Sequence, residues 1–342
     1  MDPMELGEIR ELAQRMSIRA IARKLGRDVK TIRAALGRPA RETAPSKLEP
    51  FQDLVRERAA QGLFGPRILR EIRERGYTGG RTMLGDFLRS IRPPAKSNAA
   101  VRRFETKKAQ EMQIDWSPYR LKIGGIERVA HCFSMVLCWS RRLFIRFYRD
   151  ERLPTLLFAH GEGFAYHQGL TARAVYDNMT QVTLGRLHGR PIWHEHFLAF
   201  AKHTGFTPYA HKVKHKERSG KVERPFWYIE TDFLRARTFA SWDDLNAQAL
   251  VWLETVANVR CHETIKRFVH EAYAEEKPLL VALPPVAFGT DRCEVRKVAV
   301  DGTVCIDGSF YPVPARLVGQ HVRARVYPTR VEVLDAAGAV VA

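Results

Sequence analysis

The sequence predicts a multidomain protein with an all-α amino-terminal region, a central α/β domain with a mixed sheet and a small carboxyl-terminal β-barrel. Three observations support this fold class. Apolar residues recur at helical spacing over the first 92 residues, strand-like alternation begins at Glu111, and short alternating segments separated by turns follow Arg292. The 342 residues, of which 45% are apolar, are enough to bury several separate cores.

The charge balance points to a polyanionic partner. Lys and Arg number 56 against 38 Asp and Glu, a formal net charge of +18, and the cations are spread along the whole chain. Nucleic acid is the leading candidate and a membrane surface is the alternative. No leader-like segment or long apolar run is evident, so we expect a soluble, unsecreted, cytoplasmic and nucleoid-associated protein with no membrane partner.

Cysteine usage argues against both a disulfide framework and a zinc knuckle. The five cysteines are odd in number and form no C-x-x-C pair. We expect them to be reduced and mostly buried: Cys132, Cys138, Cys261, Cys293 and Cys305.

Residues 1–42 predict a helix-turn-helix domain. Ser17 is placed as the N-cap of a short amphipathic helix, Gly26 to Asp28 supply a tight turn, and a second helix ends at Gly37. An ordinary solvated helical hairpin is the alternative. Four side chains on or beside the second helix are expected to reach DNA: Arg27, Lys30, Thr31 and Arg33.

Residues 47–92 predict a second helical unit of three helices. Arg81 and Thr82 open its third helix and are its expected DNA contacts, although a pure packing role for this unit is equally open. The proline-containing stretch 93–105 interrupts the helical periodicity, which predicts a linker.

Residues 106–275 predict the catalytic domain with a helical extension. Alternation around Met112 and Ile114 places Asp115 on a strand, and a later strand delivers Asp177 at its carboxyl end, where open α/β sheets hold active groups. The elements expected between and after these acids are strands at 128–139 and 142–148, a helix at 154–167, a strand at 171–176, a helix at 193–204 and a strand at 206–209.

A third acid, Glu223, opens a further helix in which Pro225 is tolerated in the first turn. Acids in the order strand, strand, helix fit a ribonuclease-H-like, integrase-type core. Taken singly, each acid also has an ordinary interpretation as a cap, an ion pair or a solvated side chain.

Four stretches make the comparison with a known family specific: Phe104-Glu105-Thr106, Gln113-Ile114-Asp115-Trp116, Tyr176-Asp177-Asn178 and Gly220-Lys221-Val222-Glu223-Arg224-Pro225. Together they resemble IstA-type DDE transposases of insertion-sequence family 21, and the resemblance extends over nearly the whole chain. Two departures are Ser219, where a basic or small residue is common, and the abrupt end at Ala342, which suggests a missing tail.

The resemblance implies that Asp115, Asp177 and Glu223 form the catalytic triad and hold two Mg²⁺ ions, or Mn²⁺ in their place. It further implies 3′-end cleavage of the mobile element and strand transfer into target DNA. The implied partners are the element's terminal repeats, target DNA, a second copy of the chain in a homodimer or higher oligomer, and an IstB-type AAA+ ATPase helper. The chain itself has no P-loop motif.

A basic loop near Glu223 is expected to hold phosphates, with a solvated surface loop as the alternative. The residues concerned are His211, Lys212, Lys214, His215, Lys221 and Arg224.

Residues 290–342 predict the small β-barrel, with turns at Asp301-Gly302 and Asp307-Gly308 and a basic surface suited to the DNA backbone. Two rival functions stay open from the residues. One is a catalytically inactive DNA-binding regulator derived from such a transposase, and the other is a nuclease that cuts DNA without joining it.

Overall fold

The computed structural model describes residues 3–37, 46–92, 106–177, 179–210 and 223–342, without the side chains of Pro3, Met4, Glu223 and Arg224. The chain divides into two compact units. The first comprises Met1–Ala60 with Gly65–Pro93, and the second comprises Gln61–Phe64 with Pro94–Ala342. The finer domain boundaries stay predictions.

The first unit begins with three short helices, α1 (Pro3–Leu12), α2 (Ile18–Leu25) and α3 (Val29–Ala35). Ser17 caps α2 by accepting a hydrogen bond from the amide of Ala20 at 3.3 Å, and Asp28 caps α3 through the amide of Lys30 at 2.7 Å. Gly26 ends α2 at φ 62°, a left-handed conformation that favours glycine. The core that fixes the three helices consists of Ile9, Ile21, Ala22 and Ile32.

The same unit continues with α4 (Gln52–Ala60), α5 (Gly65–Glu74) and α6 (Arg81–Ile91), preceded by a 3₁₀ turn at Glu49–Phe51. Apolar side chains at helical spacing meet between these helices. The fully or nearly buried ones are Leu48, Val55, Ile68, Leu69, Ile72, Tyr77, Leu84 and Leu88. The three helices expected from the sequence are therefore present.

The second unit is built on a five-stranded mixed sheet. Its elements are β1 (Glu111–Ile123), β2 (Ile126–Leu137), β3 (Leu143–Tyr148), α7 (Leu153–His167), β4 (Arg173–Tyr176), β5 (Thr183–Leu187), β6 (Arg190–Trp193), α8 (Glu195–Thr204), β7 (Thr207–Ala210) and α9 (Glu223–Tyr228). The strand order is β3-β2-β1-β4-β7, with β1, β2 and β3 antiparallel and with β4 and β7 parallel to β1. This is the mixed sheet of a ribonuclease-H-like core, as the sequence predicts.

The burial pattern of β1 shows where the sheet is covered on both faces. Met112, Gln113 and Ile114 are buried in succession, whereas the residues from Asp115 to Lys122 are half-buried or exposed and Ile123 is buried again. A run of consecutive buried residues is typical of a strand packed on both sides. The covered part of β1 coincides with the part that pairs with β4.

Helical elements complete this unit. They are α10 (Trp242–Trp252) and, after the short strands β8 (Cys261–His262) and β9 (Arg267–Phe268), α11 (Val269–Glu276). Ser241 caps α10 by accepting a hydrogen bond from the amide of Asp244 at 3.1 Å.

Two π-helical turns, Ile229–Leu234 and Leu253–Ala257, extend α9 and α10 where the sequence predicts regular helix. The indole of Trp252 donates to the buried carboxylate of Asp232 at 2.8 Å and holds the two elements together. Such wide turns are rare within α-helices, so the helical periodicity of the sequence does not indicate them.

The carboxyl-terminal strands are β10 (Arg292–Lys297), β11 (Thr303–Ile306), β12 (Ser309–Pro312), β13 (His321–Val326) and β14 (Val331–Leu334). They form a three-stranded sheet, β10-β13-β14, and a β11-β12 hairpin. Asp307 and Gly308 have φ of 48° and 77°, as the predicted tight turn requires. The two sheets share one core, but a closed barrel is not confirmed.

Two features differ from the sequence-based expectations. The hairpin of β5 and β6 follows Asp177 where no strand was expected, because its alternation is broken by Gly185 and Gly189. Cys261, Cys293 and Cys305 are exposed, so the prediction of mostly buried cysteines is wrong. They lie on short peripheral strands with one side facing solvent.

Among the helices described, none is long and apolar enough to cross a bilayer.

Two histidines on α7 are fully buried in the core of the second unit. His160 lies between the carbonyl of Leu156 and the hydroxyl of Tyr176, at 2.6 and 2.8 Å. Burial lowers the pKa of His160 to about 4, and burial together with the charge of Arg142 lowers the pKa of His167 to about 3. Both imidazoles are therefore neutral in the folded protein at neutral pH.

We expect the free energy of unfolding to fall as the pH drops below 6.5. Below this pH the histidines of the unfolded chain bind protons, whereas the two buried histidines of the folded protein stay neutral until the pH approaches their lowered pKa values. This difference lowers the free energy of unfolding by ~2 kcal/mol for each histidine between pH 7 and 5. Urea denaturation of the His167→Gln variant over this range should show a shallower pH dependence than the wild type. The matched variant at exposed His270, His270→Gln, should keep the wild-type slope, and equal slopes for both variants would contradict the assignment.

Candidate active site

Asp115 lies on β1 at the point where pairing with β4 stops. The parallel register joins Glu111 to Arg173 and ends with Ile114 opposite Tyr176, whereas pairing with β2 continues to the end of β1. Asp115 is half-buried, and the amide of Trp116 donates to its Oδ1 at 2.8 Å. The carboxylate is therefore anchored on a rigid strand but remains accessible from one side.

Asp177 follows immediately after β4 and is exposed. Each acid is one residue beyond the last matched pair, so their backbones occupy neighbouring positions on strands about 4.8 Å apart. Tyr176, which ends β4, is fully buried and its hydroxyl contacts His160 at 2.8 Å. The chain can leave the sheet only after this anchor, which places Asp177 at the edge.

Glu223 is the first residue of α9, and its side chain lies outside the described residues. The position of α9 is fixed by Tyr119, whose hydroxyl donates to the carbonyl of Phe226 at 3.2 Å. Burial raises the pKa of Tyr119, so this hydroxyl stays a donor at neutral pH. Tyr119 and Asp115 lie on the same face of β1, because side chains alternate with period two. Phe226 follows Glu223 by about one helical turn.

The fold thus brings Asp115 and Asp177 together and ties the helix that starts at Glu223 to the same strand. Within the described residues, from which the Glu223 side chain is missing, no group of three His, Cys, Asp or Glu side chains is arranged for a metal. The two aspartates offer hard oxygen donors, which suit Mg²⁺ or Mn²⁺ better than zinc.

The residues predicted to bind DNA through the first helices are only partly exposed. Lys30 is exposed in the first turn of α3, whereas Thr31 and Arg33 are half-buried. Arg27 is exposed and its Nε lies 2.8 Å from a carboxylate oxygen of Glu5. This ion pair joins the turn to α1, so Lys30 is the best-presented of the four side chains.

The other predicted DNA contacts divide into two groups. Arg81 and Thr82 open α6 and are exposed, as expected. The backbone of Arg224 lies in α9, but its side chain is outside the described part of the chain. The remaining residues of the basic loop lie wholly outside it: His211, Lys212, Lys214, His215 and Lys221.

One feature of the site was missed from the sequence. A groove of about 760 Å³ runs between residues 117–122 of β1 and the elements 226–239 that follow Glu223. Trp227 lines it and is 51% exposed. The aromatic run at 226–228 was a usable signal, because a helix cannot bury three consecutive side chains on one face.

The Tyr119→Phe variant tests whether Tyr119 positions α9. Loss of one hydroxyl donor should lower the free energy of unfolding by about 1 kcal/mol. If α9 shifts relative to β1, the DNA cleavage and joining that the family resemblance implies should fall more than this small loss of stability explains. Unfolding curves and single-turnover reactions measured together would show the two effects.

Tyr273→Phe is the matched control, because the Tyr273 hydroxyl also donates to a backbone carbonyl, that of His167 at 2.6 Å. It should lower stability by a similar amount and leave turnover of the folded protein unchanged. Equal turnover in the two variants would remove the positioning role of Tyr119.

Comparison with known proteins identifies transposases among the relatives of this chain. The family model described as Mu transposase, C-terminal domain, matches residues 283–342. The putative transposase for insertion sequence element IS5376 of Geobacillus stearothermophilus is 33% identical over 324 residues, which covers 92% of this chain and 80% of that protein. The transposase for insertion sequence element IS21 of Pseudomonas aeruginosa is 30% identical, over 90% of this chain and 80% of the relative.

Solved structures with a detectable likeness are more distant. A chain of the simian T-cell lymphotropic virus intasome, solved in complex with PP2A regulatory subunit B56 gamma, is 12% identical with a TM-score of 0.39 and covers 82% of this chain and 95% of that one. The HTLV-2 integrase catalytic core domain in complex with magnesium is 14% identical with a TM-score of 0.33, over 50% of this chain and 99% of that one. On the extent of its identity with the curated relatives, the chain belongs to the IS21 family of transposases.

Proposed function

We propose that the protein is a DNA transposase that binds the ends of its insertion sequence, cleaves their 3′ ends and transfers them into target DNA. Its active site is formed by Asp115, Asp177 and Glu223. The observation that carries this proposal is the register of β1 and β4, which sets two acids side by side at an accessible edge of the sheet. Membership of the IS21 family supplies the reaction class.

The electrostatics of the site favour bound cations. Neighbouring carboxylates repel each other, and in a chain of net charge +18 such a pair is maintained at a site where cations neutralise it. Asp115, Asp177 and Glu223 would hold two Mg²⁺ ions, or Mn²⁺. When bound, the two metal ions would supply Lewis-acid activation of an attacking oxygen and stabilisation of the leaving oxygen at a phosphodiester.

The chain's own residues contribute position and charge. The amide of Trp116 fixes one oxygen of Asp115, and the Trp116 ring packs edge-on against Phe133 and Tyr148 at centroid distances of 5.2 and 5.8 Å. Asp115 is thus held on a strand with little freedom, as a preorganised site requires. The basic loop that precedes Glu223 is placed in sequence to hold the phosphates of the scissile strand.

Recognition of the element ends is assigned to the helices of the first unit. Lys30 on α3 and Arg81 with Thr82 on α6 are exposed and suited to phosphates or base edges. Joining two ends requires two copies of the site, so we propose a homodimer or larger assembly. An IstB-type AAA+ ATPase is the proposed helper, since this sequence has no P-loop of its own.

The catalytic assignment is tested by a strand-transfer assay with oligonucleotides that carry candidate element ends. Asp115→Asn, Asp177→Asn and Glu223→Gln should each slow joining by more than about 10²-fold, because each removes one anionic oxygen ligand. All three should retain affinity for end DNA. Chelation of divalent ions by EDTA should abolish joining by the wild type, and added Mg²⁺ or Mn²⁺ should restore it.

Asp243→Asn is the matched control, since Asp243 is an exposed acid on α10 away from the register pair. It should join DNA at the wild-type rate. Joining that persists in all three active-site variants would reject the triad. DNA binding without cutting or joining by the wild type would favour the catalytically inactive regulator, and cutting without joining would favour a nuclease.

The Lys30→Ala variant tests the role of α3 in end binding. It should weaken binding to end DNA and lower the slope of log affinity against log salt by about one, as expected for the loss of one phosphate contact. Lys277→Ala, at an exposed lysine of the second unit, is the matched control and should bind as the wild type does. Salt titrations of duplex affinity give both values. Identical slopes for Lys30→Ala and wild type would exclude Lys30 from the interface.

A further inference from the structure

The groove beside the proposed active site has one wall made by the edge of β1 that faces away from β2. Among the described residues, the strand pairing of this edge with β4 ends at Ile114, and its next bridge is that of Ile123 with Phe239. The opposite wall is formed by α9 and the π-helical turn Ile229–Leu234. At the far end, Gly124 donates to the carbonyl of Phe239 at 2.9 Å and closes the groove.

The groove leads directly from the proposed active site. Ser117, two residues after Asp115, is its first lining residue on β1, and Phe226, about one helical turn after Glu223, is its first on α9. The Tyr119 hydroxyl spans the two walls through the Phe226 carbonyl at 3.2 Å. Any chain that extends from the acids along β1 therefore enters this groove.

Its lining is cationic. Arg120, Lys122, Arg235 and Arg237 line it together with a single acid, Glu230. Glu230 forms an ion pair with Arg235 at 2.6 Å, so these two charges neutralise each other within the wall of the groove. The other three cations therefore give the groove a positive field that suits a polyanion.

Two of these cations are well presented. Lys122 is exposed, and Arg120 is 81% exposed with only a 3.6 Å contact to Glu127. Arg237 is held in place, with its guanidinium carbon 5.1 Å from the centroid of the Phe233 ring. Two exposed cations beside one held against an aromatic ring suit contacts with a phosphate backbone.

Trp227 provides a platform of the kind that stacks on bases. Its ring is supported edge-on by Phe64 of the same unit, at 5.0 Å between centroids and 79° between planes. Half of its surface remains exposed despite this support, which is unusual for so large an apolar side chain. An exposed, rigid aromatic ring among cations is the pattern that binds unpaired nucleic acid without sequence preference.

The volume of the groove suits a single strand. At about 760 Å³ it lies in the range of clefts for small molecules, ~300–1,000 Å³, so it has room for one base on Trp227 with its flanking backbone.

We propose that this groove binds unpaired single-stranded DNA at the reacting end, with a base stacked on Trp227 and phosphates held by Arg120, Lys122 and Arg237. The proposal rests on the proposed function, since it names the form of DNA that leaves the same site. In this arrangement the strand separated at the element end is guided along β1, away from the acids.

The test measures binding without chemistry. Short single-stranded oligonucleotides that carry one 2-aminopurine are titrated with the full chain in EDTA, and both affinity and quenching of the fluorescent base are recorded. Trp227→Ala should weaken binding about tenfold and abolish quenching at one position of the oligonucleotide. Trp227→Phe should recover most of the affinity, and Lys122→Gln should lower the salt dependence of binding.

Phe268→Ala is the matched control, because Phe268 is 45% exposed and lies on β9, away from the groove. It should bind as the wild type does. Equal affinity and quenching in Trp227→Ala and Phe268→Ala would overturn the proposal. A change in the oligomeric state of the DNA-free protein caused by Trp227→Ala, with single-strand binding intact, would assign the groove to contact with a second copy of the chain. This result would also overturn the proposal.

The outcome of this binding test can be distinguished from the outcome of the strand-transfer assay, because binding in EDTA does not depend on the triad. If strand transfer requires Asp115, Asp177 and Glu223 but Trp227→Ala binds single strands normally, only the groove assignment fails. If joining persists in the triad variants while Trp227→Ala loses binding, the catalytic assignment fails and the groove remains a single-strand site.

Discussion

The parallel pairing of β1 with β4 is the constraint on which the site depends. It ends at Ile114 and Tyr176, and the residue after each is an aspartate. The buried Tyr176, held by His160, sets where β4 ends, and the length of β1 keeps Asp115 on a rigid strand. A shift of one residue in this register would turn one acid away from the other, because side chains alternate along a strand.

The same mismatch in strand length creates the groove. β1 has 13 residues but β4 has only four, so β4 pairs with only the first four residues of β1. An open strand edge must be covered or used. Here α9 and its π-helical extension face it, joined to β1 by the bond from Tyr119 to Phe226. The acids and the groove are therefore two consequences of one arrangement of β1.

The apolar core and the surface charge have separate roles in this protein. The interior of the central sheet is apolar and holds two neutral histidines on α7, which make the fold sensitive to acid. The cations lie outside this core and exceed the acids by 18, which favours a polyanion wherever a groove or a helix presents them. We infer that DNA binding is spread over several surfaces, each suited to a different form of the substrate.

The sequence by itself determined the local features: the cap at Ser17, the tight turn from Gly26 to Asp28, the alternation that placed Asp115 on a strand, and the motifs that indicated the family. Only the tertiary structure decided the pairing of β1 with β4, the π-helical turns, the β5-β6 hairpin and the groove around Trp227. Local patterns report which face of an element is apolar. The aromatic run at 226–228 indicates that one ring is exposed, but not which one. Register and strand-length mismatch depend on contacts between residues far apart in sequence, which leave no local periodicity.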